Sequence, residues 1–289
     1  MRQLSFFTAS ICLLLTFTAL FSACSRPTAS QSRTLRVAVA ASIAPAAEQL
    51  KAALESSTDH PGLTVEITVG SSGTLAQQII AGSPIDIFMA ADTTWPNKLH
   101  AQNLTTSPPI PLGQNRLCIL LRADSAAKAN LTLPAPKTAE RNPLANADLT
   151  LRILTALSNN PAFNRIALAK PDLAPTGLAA REALTKLNLF STIESKLVYA
   201  DNADKAAGFF ITGTVEAAFL PRSLARKALE KTPGSIMLGL PNEISKPTEM
   251  ALVTIKRPDT NPAAAQAWLN LINSPKGQKI LQDADLAGN

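Results

Sequence analysis

The sequence has few of the residues that build covalent or metal-based sites. Its 289 residues include three cysteines, two histidines and one tyrosine, and aromatic residues make up 4%. Cys12 and Cys24 lie near the start, so Cys118 is the only cysteine in the long remainder. No disulfide can form within that remainder. Because Cys118 lies in an apolar run, residues 117–121, we expect a buried core thiol.

The scarcity of histidine also limits the classes of enzyme. His60 lies in an Asp-His-Pro-Gly turn and His100 near a predicted helix end, which indicates surface or capping roles and no Cys/His metal site. A secreted serine hydrolase is an alternative, with Ser72 as its nucleophile. However, residues 70–74 read Gly-Ser-Ser-Gly-Thr, which is not the Gly-x-Ser-x-Gly elbow of such enzymes. We predict that the protein is not an enzyme and has no cofactor.

The positive charge is spread along the chain. The formal net charge is +6 at pH 7, and no run of Lys or Arg occurs. With few aromatic residues beside these charges, the sequence lacks the signature of a nucleic-acid interface. We therefore exclude nucleic acid as a partner. A mild positive field can help an anion to approach, but it does not identify one.

The N-terminus has the layout of an export signal. Arg2 is the only charged residue before Cys24, an apolar centre follows it, and Ser-Ala precede the cysteine. This order predicts a signal peptide at residues 1–23, and the apolar run is too short and too broken to span a bilayer comfortably. Cys24 is either incidental or the lipidated residue of a bacterial lipobox. We favour lipidation, with residues 24–33 as a polar tether, and a periplasmic, membrane-anchored protein.

Strand-like and helix-like segments alternate along the rest of the chain. This alternation predicts an α/β protein with parallel sheets. The region 123–150 is rich in Ala, Asn and Pro and is predicted as a long surface excursion with at most one short helix. The predicted strands are residues 35–39, 63–69, 85–89, 117–121, 166–169, 197–199, 215–220 and 250–255.

Four short stretches share one design, because each follows a predicted strand and opens a predicted helix. Such turns leave backbone amides unpaired at the positive end of the helix dipole. None of the four contains Lys or Arg, so together they would bind an anion without cationic side chains. The stretches are Ala40-Ala41-Ser42, Gly70-Ser71-Ser72-Gly73-Thr74, Ala174-Pro175-Thr176-Gly177 and Asp201-Asn202-Ala203.

Each stretch also has an ordinary structural explanation. Ser and Thr before helices are usually caps, and Gly-Ser-Ser-Gly is usually a turn. Two stretches lie in each half of the chain, however, and ligands of open α/β sheets bind beyond the carboxyl ends of strands. The joint pattern predicts two α/β lobes that face each other across a ligand cleft.

An ordered series of motifs resembles the periplasmic molybdate-binding proteins of ABC importers. The resemblance runs from residue 35 to about residue 286 and implies the type II periplasmic binding-protein fold, with two α/β lobes joined by hinge strands. Its motifs are residues 39–42 (Val-Ala-Ala-Ser), 70–79, which begin Gly-Ser-Ser-Gly, 82–92, which include Ile-Asp-Ile-Phe-Met-Ala-Ala-Asp, 112–117 (Leu-Gly-Gln-Asn-Arg-Leu) and 174–184, which begin Ala-Pro-Thr-Gly.

The resemblance implies roles for four residues. Ser42 and Ser72 match the first-lobe serines that contact the oxyanion, while Thr176 and Ala203 match second-lobe positions that donate backbone amides. Molybdenum would be present only as molybdate, held by these same residues. Some members add a tyrosine hydroxyl, and that position is Leu220 here, so one donor is missing or replaced.

The resemblance also implies how the protein works. It would be a monomer that captures molybdate or tungstate and delivers it to a membrane permease. We predict lobe 1 at residues 34–119 and 248–289 and lobe 2 at residues 120–247, with hinges near 117–121 and 248–255. Two alternatives stay open, namely a binding protein for sulfate or another tetrahedral oxyanion and a lipoprotein that senses oxyanions without transport.

Overall fold

The fold is built on two five-stranded sheets. A computed structural model of the chain describes residues 34–131 and 147–286. The predicted signal peptide, the tether, Cys24 and much of the 123–150 excursion lie outside the described residues. Within them, no helix is both long and apolar enough to cross a membrane.

The first sheet has the strand order β2-β1-β3-β10-β4. Strands β2, β1 and β3 are parallel to each other, whereas β10 pairs antiparallel with both β3 and β4. The strands are β1 (Thr34–Ala40), β2 (Thr64–Gly70), β3 (Ile87–Ala90), β4 (Ile110–Asn115) and β10 (Thr248–Thr254).

Helices cover both faces of this sheet. Alternate residues of β1 point to opposite faces, so Val37 lies in one apolar cluster and Ala38 in another. The first cluster lies under α1 (Ala44–Glu55), α10 (Pro262–Asn273) and α11 (Pro275–Asp283) and contains the fully buried Trp268. The second lies under α2 (Ser72–Ile80) and α3 (Thr94–Ala101). Burial on both faces explains why the inner strand β3 is apolar at every position.

The second sheet repeats the plan of the first, in the order β7-β6-β8-β5-β9. Strands β7, β6 and β8 are parallel, and β5 pairs antiparallel with both β8 and β9. The strands are β5 (Leu117–Leu121), β6 (Ile166–Ala169), β7 (Leu197–Ala200), β8 (Ala217–Pro221) and β9 (Ile236–Gly239).

Two clusters again lie on the two faces of the second sheet. One contains Ile153, Leu184 and Phe219, and the other contains Phe210 and Leu224. The helices of this half are α4 (Ala123–Lys128), α5 (Ala147–Asn159), α6 (Pro175–Lys186), α7 (Phe190–Ile193), which a short 3₁₀ turn (Glu194–Lys196) follows, α8 (Ala203–Ile211) and α9 (Arg222–Lys231).

Two predictions about the sheets need correction. The sheets are mixed, not parallel, because the chain crosses between the halves twice and β5 and β10 run against their neighbours. The predicted lobe boundary at 119–120 falls inside β5, which pairs with the second sheet along its whole length. The change of sheet therefore comes at Arg116, and the return to the first sheet comes at β10.

Most predicted elements are present, and several were not predicted. The strand predictions at 117–121 and 166–169 match β5 and β6 residue for residue, whereas β4, β9, α5 and α9 were missed. The 123–150 region contains α4 and the start of α5 within its described residues. Cys118 is buried as expected, and burial raises the pKa of its thiol to about 12, which keeps the thiol protonated and unreactive.

Gly177 provides a test of the packing in the second half. A Cβ atom at this position would overlap the backbone carbonyl of Ala169, at the end of β6. We predict that Gly177→Ala destabilises the protein by about 1–3 kcal/mol, as overpacking does. The matched control is Gly208→Ala within α8, where an added Cβ meets nothing within 4 Å. That change should stabilise the protein by up to about 1 kcal/mol. Urea denaturation measures both, and equal stability of the two variants would contradict the prediction.

Candidate functional site

In the first half, the carboxyl ends of three parallel strands meet at one edge of the sheet. Ala40 of β1 lies opposite Gly70 of β2, and the Ala41 amide donates to the Gly70 carbonyl at 3.0 Å. Ser42 therefore follows β1 beside the turn in which Ser72 follows β2. The structure brings these two predicted serines to the same edge.

Ser72 is fully buried and connects two of these strand ends. Its hydroxyl oxygen accepts a hydrogen bond from the Ala91 amide, just after β3, at 3.0 Å. The capping role belongs to Ser71, whose hydroxyl accepts from the Thr74 amide at 3.3 Å. Because Ser72 accepts with its oxygen, its hydroxyl proton remains available to a ligand.

Ser42 has no ordinary structural explanation. Its side chain is 2% exposed, and its Oγ is buried without a hydrogen-bond partner. It does not cap α1, because the N-cap of that helix is Ile43 and no side-chain cap is made. A buried hydroxyl without a partner costs about 1–3 kcal/mol. A buried hydroxyl with no partner in the protein is explained by a hydrogen-bond partner from outside it, and a bound ligand is such a partner.

In the second half, Thr176 lies in the first turn of α6. Pro175 occupies the first helical position, where its fixed φ and missing N–H are favourable. No side chain caps this helix, so its first amides, including that of Thr176, have no partner within the helix.

Ala203 begins α8, next to the second predicted turn. Asn202 caps this helix by accepting from the Lys205 amide at 2.9 Å, which leaves the Ala203 amide without an intrahelical partner. Ala203 is buried in a cluster of the second half that also contains Ala41 from the first half. The Ala41 turn and the start of α8 therefore contribute to the same apolar cluster.

The two halves touch at several other points. The Gly73 amide donates to the Leu173 carbonyl at 2.8 Å, and the Ser223 hydroxyl donates to the Ser42 carbonyl at 2.8 Å. Asp285 follows α11, which packs on the first sheet. It forms ion pairs with Arg222 at 3.2 Å and with Arg226 at 3.0 Å, both on α9 of the second sheet. The cleft between the lobes is therefore closed in this structure.

A small cavity lies between the halves, next to the point where the chain crosses. The volume of the cavity is ≈ 10 Å³, which is about what one water molecule needs. Of the four predicted residues, only Thr176 lines this cavity, and Ser72 is linked to it through Ala91. The lining residues are Ala91, Asn115, Arg116, Leu117, Thr176, Ala179, Pro221 and Thr248.

Three polar residues of this lining, Asn115, Arg116 and Thr248, were not predicted as site residues. Asn115 and Arg116 lie in the motif 112–117, which carried the resemblance without a role for either side chain. The Arg116 guanidinium donates to Asn242 at 2.8 Å. Asn115 is 6% exposed, and its Oδ1 is buried without a hydrogen-bond partner. Because strand β4 was not predicted, the motif 112–117 was the only signal at these positions.

The acidic groups near the site are already engaged. Asp201 binds Lys170 at 2.9 Å and Lys205 at 2.7 Å, one lysine on each carboxylate oxygen. The hydrogen bonds from Lys205 and Lys170 lower the pKa of this exposed carboxyl to about 2. Burial raises the pKa of Asp92, and its Oδ1 accepts from the Trp95 amide at 3.5 Å. Both oxygens of Asp201 are therefore occupied by lysines.

The predicted absence of a tyrosine donor agrees with the packing. Leu220 is fully buried in β8, where it pairs with Cys118 of β5. The only tyrosine of the sequence, Tyr199, is 40% exposed on the edge strand β7. No tyrosine hydroxyl can therefore replace the missing donor near Leu220.

The alternative of a hydrolase receives no support from the histidines. The Nδ1 atom of His100 lies 2.8 Å from the Thr105 hydroxyl, and the Ser72 hydroxyl bonds the Ala91 amide instead of a histidine. Among the residues that the structure describes, no three His, Cys, Asp or Glu side chains are grouped so as to hold a metal ion.

Comparison with known proteins identifies the class. The chain matches the family described as bacterial extracellular solute-binding protein over residues 35–284. A match over most of the sequence shows that the chain belongs to this family. Its fold is the type II periplasmic binding-protein fold.

Individual proteins similar to this chain have more specific names than the family. The molybdate-binding protein ModA of Azotobacter vinelandii is 28% identical over 254 residues, which cover 88% of this chain and 90% of the relative. A putative ABC transporter substrate-binding lipoprotein of Bacillus subtilis, YvgL, is 26% identical over 75% of this chain and 73% of its own length. The solved structure of an Azotobacter vinelandii periplasmic molybdate-binding protein superposes with a TM-score of 0.70 at 25% identity, covering 88% of this chain and 98% of that one.

Gly73 offers a test of the closed contact between the halves. A Cβ there would lie 2.9 Å from the Leu173 carbonyl oxygen and 2.8 Å from the Trp95 ring. We predict that Gly73→Ala holds the lobes apart, because the Leu173 contact is with backbone from the opposite half. Small-angle X-ray scattering should show a larger radius of gyration than that of the wild type and of the control Gly208→Ala. A wild-type radius with unchanged ligand affinity would contradict this prediction.

Proposed function

We propose that this protein is an extracytoplasmic binding protein that captures molybdate, or tungstate, and delivers it to an ABC importer. The family match and the relatives named for molybdate binding support this proposal. The ligand would lie between the strand-end turns of the two halves. Ser42 and Ser72 would donate hydroxyls, and Thr176 and Ala203 would donate backbone amides.

The single observation that carries the proposal is the buried, unpaired hydroxyl of Ser42. It lies where the ends of two parallel strands meet, and the Ser42 carbonyl accepts from Ser223 in the first turn of α9, on the second sheet. A tetrahedral oxyanion bound there would accept this hydrogen bond and remove the cost of the unpaired group. Among the described residues, the Ser42 hydroxyl makes no helix cap and no other hydrogen bond.

The available groups suit an anion that carries no proton. Each helix N-terminus contributes about half a positive charge, so the starts of α1, α2, α6 and α8 offer about two charges before screening. A hydrogen bond to a charged group contributes about 1.5–3 kcal/mol. Five or six such bonds would supply the roughly 8–12 kcal/mol of micromolar to nanomolar binding after ordering costs. Both oxygens of Asp201 are occupied by lysines, so a protonated anion such as hydrogen phosphate finds no acceptor there.

The mechanism that follows is capture and release by lobe movement. The open cleft admits the anion, the lobes close on it, and the closed form docks on a membrane permease. The two crossings, at Arg116 and between β9 and β10, are the points about which the lobes would move. We propose that the protein acts as a monomer without catalytic activity.

A panel of anions tests the ligand directly. Isothermal titration of the purified protein with molybdate, tungstate, sulfate and phosphate should give submicromolar to micromolar binding of molybdate and tungstate. Sulfate should bind at least tenfold more weakly, and phosphate should not bind measurably. Tighter binding of sulfate than of molybdate would make the protein a sulfate-binding protein, and absence of binding to all four would overturn the proposal.

The same titration tests the two serines. We predict that Ser42→Ala and Ser72→Ala each weaken molybdate binding about tenfold to a hundredfold, because each removes one bond to a charged ligand. Ser274→Ala is the matched control. It removes the cap of α11, where the hydroxyl accepts from the Gly277 amide, so it should lower stability by about 1 kcal/mol and leave affinity unchanged. Wild-type affinity in both test variants would exclude these serines from the site.

We further propose that Cys24 carries a lipid that holds the protein on the membrane. The N-terminal sequence pattern supports this, as does the relative named as a lipoprotein. Radiolabelled palmitate should label the wild type in a bacterial host but not Cys24→Ser. Because Cys118 is buried, Cys118→Ser is the matched control and should still be labelled. An unlabelled wild-type protein would remove the anchor from the proposal while leaving export intact.

A further inference from the structure

We infer that the side chain of Asn115 binds the anion directly, as the polar donor that replaces the missing tyrosine. This inference rests on the proposed function and adds a residue to the same site. Neither the relatives nor the strand-end pattern assigns a role to Asn115.

The first argument is the position of Asn115 between the halves. It is the last residue of β4, it lies opposite Thr248 of β10, and the chain enters the second sheet two residues later. It lines the same small cavity as Thr176, whose helix start faces the cleft from the other half. A ligand in this cavity would contact residues of both lobes, with Asn115 on the first sheet and Thr176 beside the second.

The second argument is the unmet hydrogen-bonding capacity of the side chain. Asn115 is 6% exposed, and its Oδ1 has no partner. The Arg116 guanidinium donates to Asn242, and the backbone carbonyl of Arg116 accepts from the Arg222 amide. These polar groups next to Asn115 are therefore engaged elsewhere. Buried amide side chains are normally paired, and no described residue pairs with the Asn115 oxygen, so this side chain is available to a ligand.

The third argument is chemical. A carboxamide can turn by 180° about its last torsion, which exchanges its oxygen and its NH₂ group at almost no steric cost. A fully ionised oxyanion offers only acceptors, so it would be met by the NH₂ group, which donates two hydrogens. With Leu220 apolar and Tyr199 exposed on an edge strand, Asn115 is an uncharged side chain positioned to provide this donor.

Gln114 provides a matched control for the test. It precedes Asn115 on β4, is exposed, and lines a different cavity, which also contains Pro108 and Glu249. Gln114→Glu and Asn115→Asp both replace an amide with a carboxylate of nearly the same shape. The added charge faces the anion only in Asn115→Asp, so the pair separates a direct contact from a general effect of charge or of strand stability.

The experiment is titration of molybdate into the wild type, Asn115→Ala, Asn115→Asp and Gln114→Glu, with melting temperatures measured without ligand. We expect Asn115→Ala to weaken binding about tenfold to a hundredfold. Asn115→Asp should weaken binding at least tenfold further, because its carboxylate repels the dianion, and Gln114→Glu should bind within threefold of the wild type. The ligand-free melting temperatures show whether each variant is folded.

The results separate the inference from the function on which it rests. If the wild type and Gln114→Glu bind molybdate and Asn115→Ala binds equally well, the inference is overturned while the proposed function stands. If Asn115→Asp, when folded, is no weaker than Asn115→Ala, Asn115 has only a structural role. If Asn115→Asp does not fold, the comparison of Asn115→Ala with the wild type decides. If the wild type does not bind molybdate, the proposed function itself fails.

Discussion

The structure depends on one constraint, namely that buried polar groups must find partners at the edge where parallel strands end. Where a helix follows a parallel strand, the backbone amides at the helix start have no hydrogen-bond acceptor within the same helix. In both halves, helices begin directly beyond the ends of neighbouring parallel strands. Contacts such as Gly73 with Leu173 and Ser223 with Ser42 join the two edges, and we propose that the amides and hydroxyls there form one region of donors.

The two sheets hold these donors in fixed positions. Both repeat the same order of three parallel strands followed by two antiparallel pairings, although the sequence shows no internal repeat. Helices pack on both faces of each sheet, and close contacts such as that of Gly177 with Ala169 set the helix starts relative to the strand ends. Donors that are already positioned lose little entropy on binding, which allows uncharged groups to bind an anion tightly.

Sequence reasoning predicted the elements whose signal is local. The apolar runs of β5 and β6 and the strand-to-helix turns at Ser42, Ser72, Thr176 and Ala203 could be located because composition changes sharply there. The four turns stay predictions as binding residues, although the structure brings Ser42 and Ser72 to one edge.

What was missed depends on tertiary structure. The polar strand β4 is stabilised by pairing with β10, more than 130 residues later, and no local pattern reports that partner. The direction of β5 follows from the crossing between lobes, so an all-parallel sheet was the wrong expectation. Asn115 lies in this unpredicted strand, and its burial without a hydrogen-bond partner among the described residues is visible only in the structure.

The most direct test of the account is a crystal structure of the protein grown with molybdate. The account predicts a tetrahedral anion between the lobes, bonded by the hydroxyls of Ser42 and Ser72 and by backbone amides from the starts of α6 and α8. No lysine or arginine side chain should contact it. An anion held by the Arg116 guanidinium or by lysines, or bound outside the cleft, would contradict the claim that uncharged groups hold the ligand.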